Sequence, residues 1–268
     1  MRSRILIMLV VTGILVSFSG CGFMSKKYLK TKTEDHTIST LNKKRVSLEN
    51  INGDILIRQS RDSSEMTISA TKEVKVSKKD LDKPFDEITI NIESEDDIIR
   101  ITTEINIQRR SKFFNINLGN KATVDYVITV PAGLELKIEN VNGNVTCNEL
   151  NNDLTLNLVN GKTKLSNYSG LLECEIVNGS FTGEILSTKG IGISTVNGSI
   201  TLNLNNYLNA EIIAETVNGK ISDSNLIIKE TERKKRKFRG ILGSGTPESV
   251  IKTNTVNGKI NFLGTDEI

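Results

Sequence analysis

One tripeptide constrains this chain more than anything else in it. Val-Asn-Gly, or its Ile variant, occurs seven times: Ile51-Asn52-Gly53, Val141-Asn142-Gly143, Val159-Asn160-Gly161, Val177-Asn178-Gly179, Val196-Asn197-Gly198, Val217-Asn218-Gly219 and Val256-Asn257-Gly258. The last six copies begin 18, 18, 19, 21 and then 39 residues apart. Recurrence at a nearly fixed interval means one small structural unit is used repeatedly. The final interval is about two periods, which reads as a copy that has lost its tripeptide.

The surroundings of each copy define the unit. Five residues before the Val or Ile stand Val46, Leu136, Leu154, Leu172, Ile191, Ile212 and Ile251, all aliphatic. Four residues after it stand Ile55, Val145, Thr163, Phe181, Ile200, Ile221 and Ile260, with Thr163 the one polar member. Between these anchors the residues alternate, as in Leu136-Lys137-Ile138-Glu139 and Leu172-Glu173-Cys174-Glu175. Alternation with period 2 places one face inward and one outward, the pattern of a strand and not of a helix. Each unit is therefore a short strand, an Asn-Gly corner and a second short strand. The rest of the composition agrees, with abundant Ile, Val and Leu, only 4% aromatic residues and no Trp, so the core is built from aliphatic side chains.

Asn-Gly corners suit two architectures: up-and-down hairpins in a sandwich, or coils stacked in parallel. Hairpins give no reason for identical corners at one coil length. If each unit is one coil, equivalent residues lie about 4.8 Å apart along the stack and pair with the coils above and below. The asparagines then form a hydrogen-bonded ladder, the glycines relieve a crowded corner, and the aliphatic anchors make continuous inner columns. Parallel crossovers are right-handed as a rule. The expected fold class is all-β, a right-handed parallel β-helix-like solenoid over residues 131–263. Residues 45–130 form an irregular N-terminal β portion, with strand-like runs at 66–76, 88–92 and 98–107, that belongs to the same domain or caps its open end.

Three features together carry a resemblance to a known family: the Val-Asn-Gly copies, Val130-Pro131-Ala132-Gly133 just before the first regular copy, and Gly243-Ser244-Gly245 before the last. Over about residues 46–263 the chain resembles the bacterial "putative adhesin" family of β-strand-repeat proteins, which is related to the toast-rack proteins of the envelope. The resemblance implies a surface-exposed, right-handed β-helix-like body. It transfers no catalytic residue.

The N-terminus has the layout of a secretory leader. Arg2 and Arg4 precede an apolar run from Ile5 to Val16, followed by Ser17-Phe18-Ser19-Gly20-Cys21. The run is short of the roughly 20 apolar residues that a membrane-spanning helix needs, so export is the reading. Small residues directly before Cys21 resemble the bacterial lipobox, although Phe18 stands where that motif most often has Leu. The resemblance implies cleavage after residue 20 and acyl chains, palmitate among them, on Cys21. Each buried methylene of such chains contributes about 0.8 kcal/mol to membrane attachment. Residues 21–44, rich in Lys, Thr and Ser, read as a tether. Cys147 and Cys174 fall at different points of the coil, so two buried thiols are expected in place of a disulfide.

Little in the sequence speaks for chemistry. The sole histidine, His36, falls in the tether without neighbours at metal-ligand spacing, and no metal or cofactor is expected. Removing Arg2 and Arg4 from the 35 basic residues leaves 33 against 32 acidic ones, a balance that does not point to nucleic acid. Glu139, Glu175 and Glu215 occupy equivalent outward positions and read as a solvated strand face. As clustered carboxylates they would instead suggest a carbohydrate-active enzyme on a β-helix. The strongest charge run holds Arg233, Lys234, Lys235, Arg236, Lys237 and Arg239. It is placed in an insertion loop over residues 229–246, either simply solvated or contacting anionic lipid or envelope polymer. The expected function is a lipid-anchored, non-enzymatic envelope protein for adhesion, binding or scaffolding. Its partners are the membrane lipid around acylated Cys21 and an envelope or surface component that the sequence does not name, and its oligomeric state is left open. The alternatives are the carbohydrate-active enzyme and, from relatives of the family, an envelope stress-signalling component.

Overall fold

The computed structural model describes residues 27–61, 64–77, 85, 88–105 and 122–265, and its strands belong to one sheet system. Residues 1–20 and Cys21 lie outside the described residues. None of the described residues is helical.

The repeats pair in parallel. β8 (Glu135–Asn142) and β9 (Val145–Asn148) make one rung around the corner at Asn142 and Gly143. The next rung is β10 (Leu154–Asn160) with the first half of β11 (Thr163–Asn178), and β12 (Phe181–Asn197) continues the path. The register is regular: Leu136 faces Leu154, Leu154 faces Leu172 and Leu172 faces Ile191. On the other side of the corner Val145 faces Thr163, and Thr163 faces Phe181. The inner column of anchors from Val46 to Ile251 is buried throughout. Phe181 is the bulkiest member of its column, and Gly183 makes room for it: a Cβ there would lie 2.8 Å from the Phe181 ring.

At the corners the asparagine side chains link rung to rung. Asn142 donates to Asn52, Asn160 to Asn142, Asn178 to Asn160 and Asn197 to Asn178, at 2.8–3.0 Å. Asn257 then donates to Asn197 at 2.8 Å, and Asn218 to Asn257 at 2.9 Å. Beside them the glycines pass so close that no side chain fits. A Cβ on Gly143 would lie 1.9 Å from the Gly53 carbonyl oxygen, and one on Gly179 would lie 1.6 Å from that of Gly161. Gly143 and Gly161 also have φ of 145° and 151°, but the contact with the neighbouring rung excludes a larger residue at every corner, whatever its φ.

The rungs do not stack in sequence order at either end. The last rung, β18 (Ser249–Asn257) with β19 (Ile260–Gly264), pairs with β12 on one side and with β14 (Ala210–Asn218) on the other. β19 likewise lies between β13 (Ile200–Leu204) and β15 (Ile221–Ser224). The N-terminal end repeats this threading. β2 (Arg45–Asn52) and β3 (Ile55–Gln59) form the first rung, yet they lie between the β8/β9 rung and an outer rung of β6 (Ile98–Ile105) and β7 (Ala122–Val130). The 39-residue interval is thus not a rung without its tripeptide. It holds the antiparallel hairpin β16 (Ile228–Lys234) and β17 (Lys237–Leu242), whose second strand pairs with the outer edge of β14. Residues 229–246, read as an insertion loop, therefore contain a capping hairpin. Its second strand alternates, Phe238 and Leu242 are buried where β17 pairs with β14, and the Phe238 ring lies 6.2 Å from that of Phe262.

The tether reading is corrected in part as well. β1 (Lys27–Ser39) is a strand antiparallel to β4 (Glu65–Ser77), and β4 pairs in turn with β7. Its threonines, read as linker composition, are β-branched and suit an edge strand. β5 (Ile88–Glu95) completes this end by pairing with β6.

Because an interior asparagine both donates and accepts, Asn178→Ala removes two side-chain bonds, whereas Asn218→Ala removes one. Urea unfolding is expected to show a loss of about 1–3 kcal/mol for Asn178→Ala and about half that for Asn218→Ala. Equal losses would count against a ladder acting rung by rung. Gly161→Ala is expected to cost at least about 1–3 kcal/mol through overpacking alone, since its Cβ would meet the Gly143 carbonyl at 1.9 Å.

Candidate functional site

The outward faces of the rungs form straight columns. Two residues before each corner Val or Ile, the column runs Glu49, Glu139, Asn157, Glu175, Ser194, Asn254 and Glu215. Glu139 and Glu175 are therefore separated by a whole rung carrying Asn157, and two further rungs lie between Glu175 and Glu215. At about 4.8 Å per rung Glu139, Glu175 and Glu215 are spread along the stack, whereas Glu49 directly faces Glu139 on the adjacent rung. The H-bond from Lys137 and its charge hold Glu139 below the ordinary glutamate range, against a smaller opposing effect of burial.

Next to this row the corner residues form an apolar stripe. Ile51, Val141, Val159 and Val177 are each about two-fifths exposed, and the stripe continues through Val196, Val256 and Val217. Between row and stripe lies a groove of about 410 Å³, lined by Glu49, Glu139 and Glu175 on one side and by Ile51, Val141, Val159 and Val177 on the other. Thr102 and Thr103 of β6 stand at one end of it.

The basic run lies on the capping hairpin, where four of its six charges meet carboxylates. Arg233 bonds Asp223 and Glu230, Lys234 bonds Glu232, Lys237 bonds Glu215 at 3.0 Å, and Arg239 bonds Glu211 at 2.7 Å. Arg233 also lies over the Phe238 ring, 4.6 Å from its centroid. Lys235 and Arg236 are exposed at the turn between the strands.

His36 is not in a flexible linker: it pairs across β1 with Ile68 of β4. Near it is a charge cluster that the sequence reading missed. Lys72 is buried and donates to Glu34 at 3.0 Å and to the Ile88 carbonyl at 3.2 Å, and Lys32 lies 2.9 Å from the same Glu34. Burial opposes ionisation of Glu34, but the bonds and charges of Lys32 and Lys72 outweigh it and keep the carboxyl below its usual value. The signal available was a lysine in an otherwise apolar alternation, Met66-Ile68-Ala70-Lys72-Val74-Val76. Among the described residues no group of His, Cys, Asp and Glu is placed to hold a metal ion. Cys147 and Cys174 are buried and unbridged, and burial pushes the Cys147 thiol up to about 12. The hydroxyl of buried Tyr126, 2.7 Å from that of Thr103, is likewise pushed up to about 12 by burial.

No protein-family model matches the chain, and no curated protein matches it. Solved structures do resemble it. One is a "putative cell adhesion protein" from Clostridium sporogenes, at 15% identity and a TM-score of 0.46, covering 88% of this chain and 100% of the other. A "putative adhesin" from Bacteroides fragilis aligns at 13% identity and a TM-score of 0.33, over 86% and 97% of the two chains. Another from Parabacteroides distasonis gives 14% and 0.26, over 86% and 97%.

Two tests follow from the titratable groups. Glu34 is depressed in the folded state, so its contribution to stability is present above the unfolded glutamate value and is lost as pH falls through the lower folded one. The stability difference between wild type and Glu34→Gln is expected at pH 7 and should close on acidification below about pH 4. A gap that is constant with pH would contradict the ion-paired role. Both thiols should resist iodoacetamide at pH 8 in the native protein and react in denaturant.

Proposed function

We propose that this chain is an exported envelope lipoprotein, held at the membrane through acylated Cys21, whose body is a right-handed β-helix-like solenoid used for adhesion, binding or scaffolding and not for catalysis. The observation that carries the reading is the unbroken run of parallel rungs, locked by one asparagine ladder and presenting straight columns of side chains. Such a body is stiff along its axis and offers extended surface in place of a deep cleft. Its outward carboxylates form one row along the stack, and most of the basic run is neutralised by its own neighbours, so the remaining distinctive surface is the groove beside that row. The leader at residues 1–20 with Ser19-Gly20-Cys21 supports the anchoring part of the reading. The described fold begins at Lys27, so an anchored body would lie within a few residues of the membrane surface.

Metabolic labelling tests the anchor. Cells expressing the full chain are expected to incorporate radiolabelled palmitate into it, and Cys21→Ala should abolish the label and release the protein from the membrane fraction. Label retained by Cys21→Ala would overturn the assignment of Cys21.

A further inference from the structure

We propose that the groove between the glutamate row and the corner stripe is a docking track for an extended cationic peptide segment, in which Lys or Arg alternates with aliphatic residues. This deepens the reading of the body as a binding surface by naming the partner's chemistry, and it does not depend on the lipid anchor.

Three observations select that occupant. The first is the apolar stripe: seven aliphatic side chains, from Ile51 to Val256 and Val217, follow one another along the stack and remain 39–52% exposed. A continuous exposed apolar strip of this kind marks a site of interaction. The second is charge. The groove lining contains Glu49, Glu139 and Glu175 and no Lys, Arg or His. Among the described residues Glu139 is ion-paired with Lys137, whose charge also acts on Glu49, whereas Glu175 has no ion-pair partner. Anionic polymers and anionic headgroups are repelled by such a lining, and cationic side chains are drawn to it.

The third is geometry. Row and stripe run side by side across parallel rungs about 4.8 Å apart, so they favour a linear occupant lying along the axis. An extended peptide sends successive side chains to opposite sides. Laid in the groove, it turns its basic residues to the glutamate row and its aliphatic ones to the valine stripe. This places the contact on a sheet face, where side chains recognise the ligand, and not on an edge strand where backbone pairing would.

The test uses the mature chain, residues 21–268, with Cys21→Ser, and fluorescence anisotropy with a labelled octapeptide of alternating Lys and Val. Alternating Glu-Val and Lys-Ser octapeptides separate the charge and apolar contributions. Saturable binding of the Lys-Val peptide is expected, weakened at least about tenfold in either control and falling as salt is raised. Two variants address the two columns: Glu139→Gln with Glu175→Gln, and Val159→Asn. Each is expected to weaken binding about fivefold or more while the thermal melt stays near that of wild type, these positions being on the surface. Should Val159→Asn unfold, the glutamine pair still decides the matter. Absent binding, equal binding of the Glu-Val peptide, or undiminished binding by the glutamine pair overturns the proposal and leaves the scaffold reading standing. So does a concentration-dependent dimer that Val159→Asn dissolves, because the occupant is then a second copy.

Discussion

The structure depends on a corner with no room in it. At six of the seven Asn-Gly corners the backbone of one rung passes the next so closely that the carbonyl oxygen of one glycine occupies the place where its neighbour would carry a Cβ, and at Gly53 the Val124 carbonyl does the same. This proximity brings the preceding asparagines within hydrogen-bonding distance of one another, so the amide ladder and the glycine column are two aspects of one contact. Both sets of strands diverge from that corner. Their register, and with it the inner columns of Leu, Ile, Val and Phe, is fixed by the alignment of the corners. A slip of one residue would turn every anchor outward.

Around this regular middle the chain closes its ends in the same manner twice. At each end a rung is placed outermost, and the chain then returns to, or has come from, a rung further in. Antiparallel strands finish the job: β1, β4 and β5 at one end, β16 and β17 at the other. Open parallel edges invite pairing with other chains. Here the outermost strand β16 carries Lys229, Glu230, Glu232, Arg233 and Lys234, a density of charge that discourages further strands from adding to it. The basic run thus has a structural employment that accounts for four of its six members, through the carboxylates of Glu211, Glu215, Asp223, Glu230 and Glu232.

How much of this was legible in the sequence follows from which forces act locally. Strand, corner and inward anchor depend on alternation and on Asn-Gly, and these recur visibly. The order of stacking depends on which rungs fit together, and the signal for that was finer. The residue just before the tripeptide is Asn50 and Asn140 in one pair of rungs, Leu158 and Ile176 in the next, and Thr195, Thr216 and Thr255 in the last three. Each subset is a group of spatial neighbours: Asn50 pairs with Asn140, and Thr255 stands between Thr195 and Thr216. These side chains lie inside the corner. Asn140 donates to the Gly53 carbonyl at 3.0 Å and Thr255 to that of Gly198 at 2.9 Å, so like sits on like. The strand β1 was less legible because its face is covered by long polar side chains, and the Glu34–Lys72 pair is visible only once β4 is known to lie against it. The groove arises where two columns meet, and no single repeat displays it.

The inverted order at the two ends also limits how such a molecule changes length over evolutionary time. Between β8 and β13, from Glu135 to Leu204, each coil rests on its predecessor, so a duplicated unit of 18 or 19 residues can slip in and leave the flanking contacts as they were. A unit appended after β19 would emerge from a strand already flanked by β13 and β15, so it could not stack directly on its predecessor. Gain and loss of coils is therefore a matter for the middle of the gene, and homologues of different size should share their two ends and differ in the count between them.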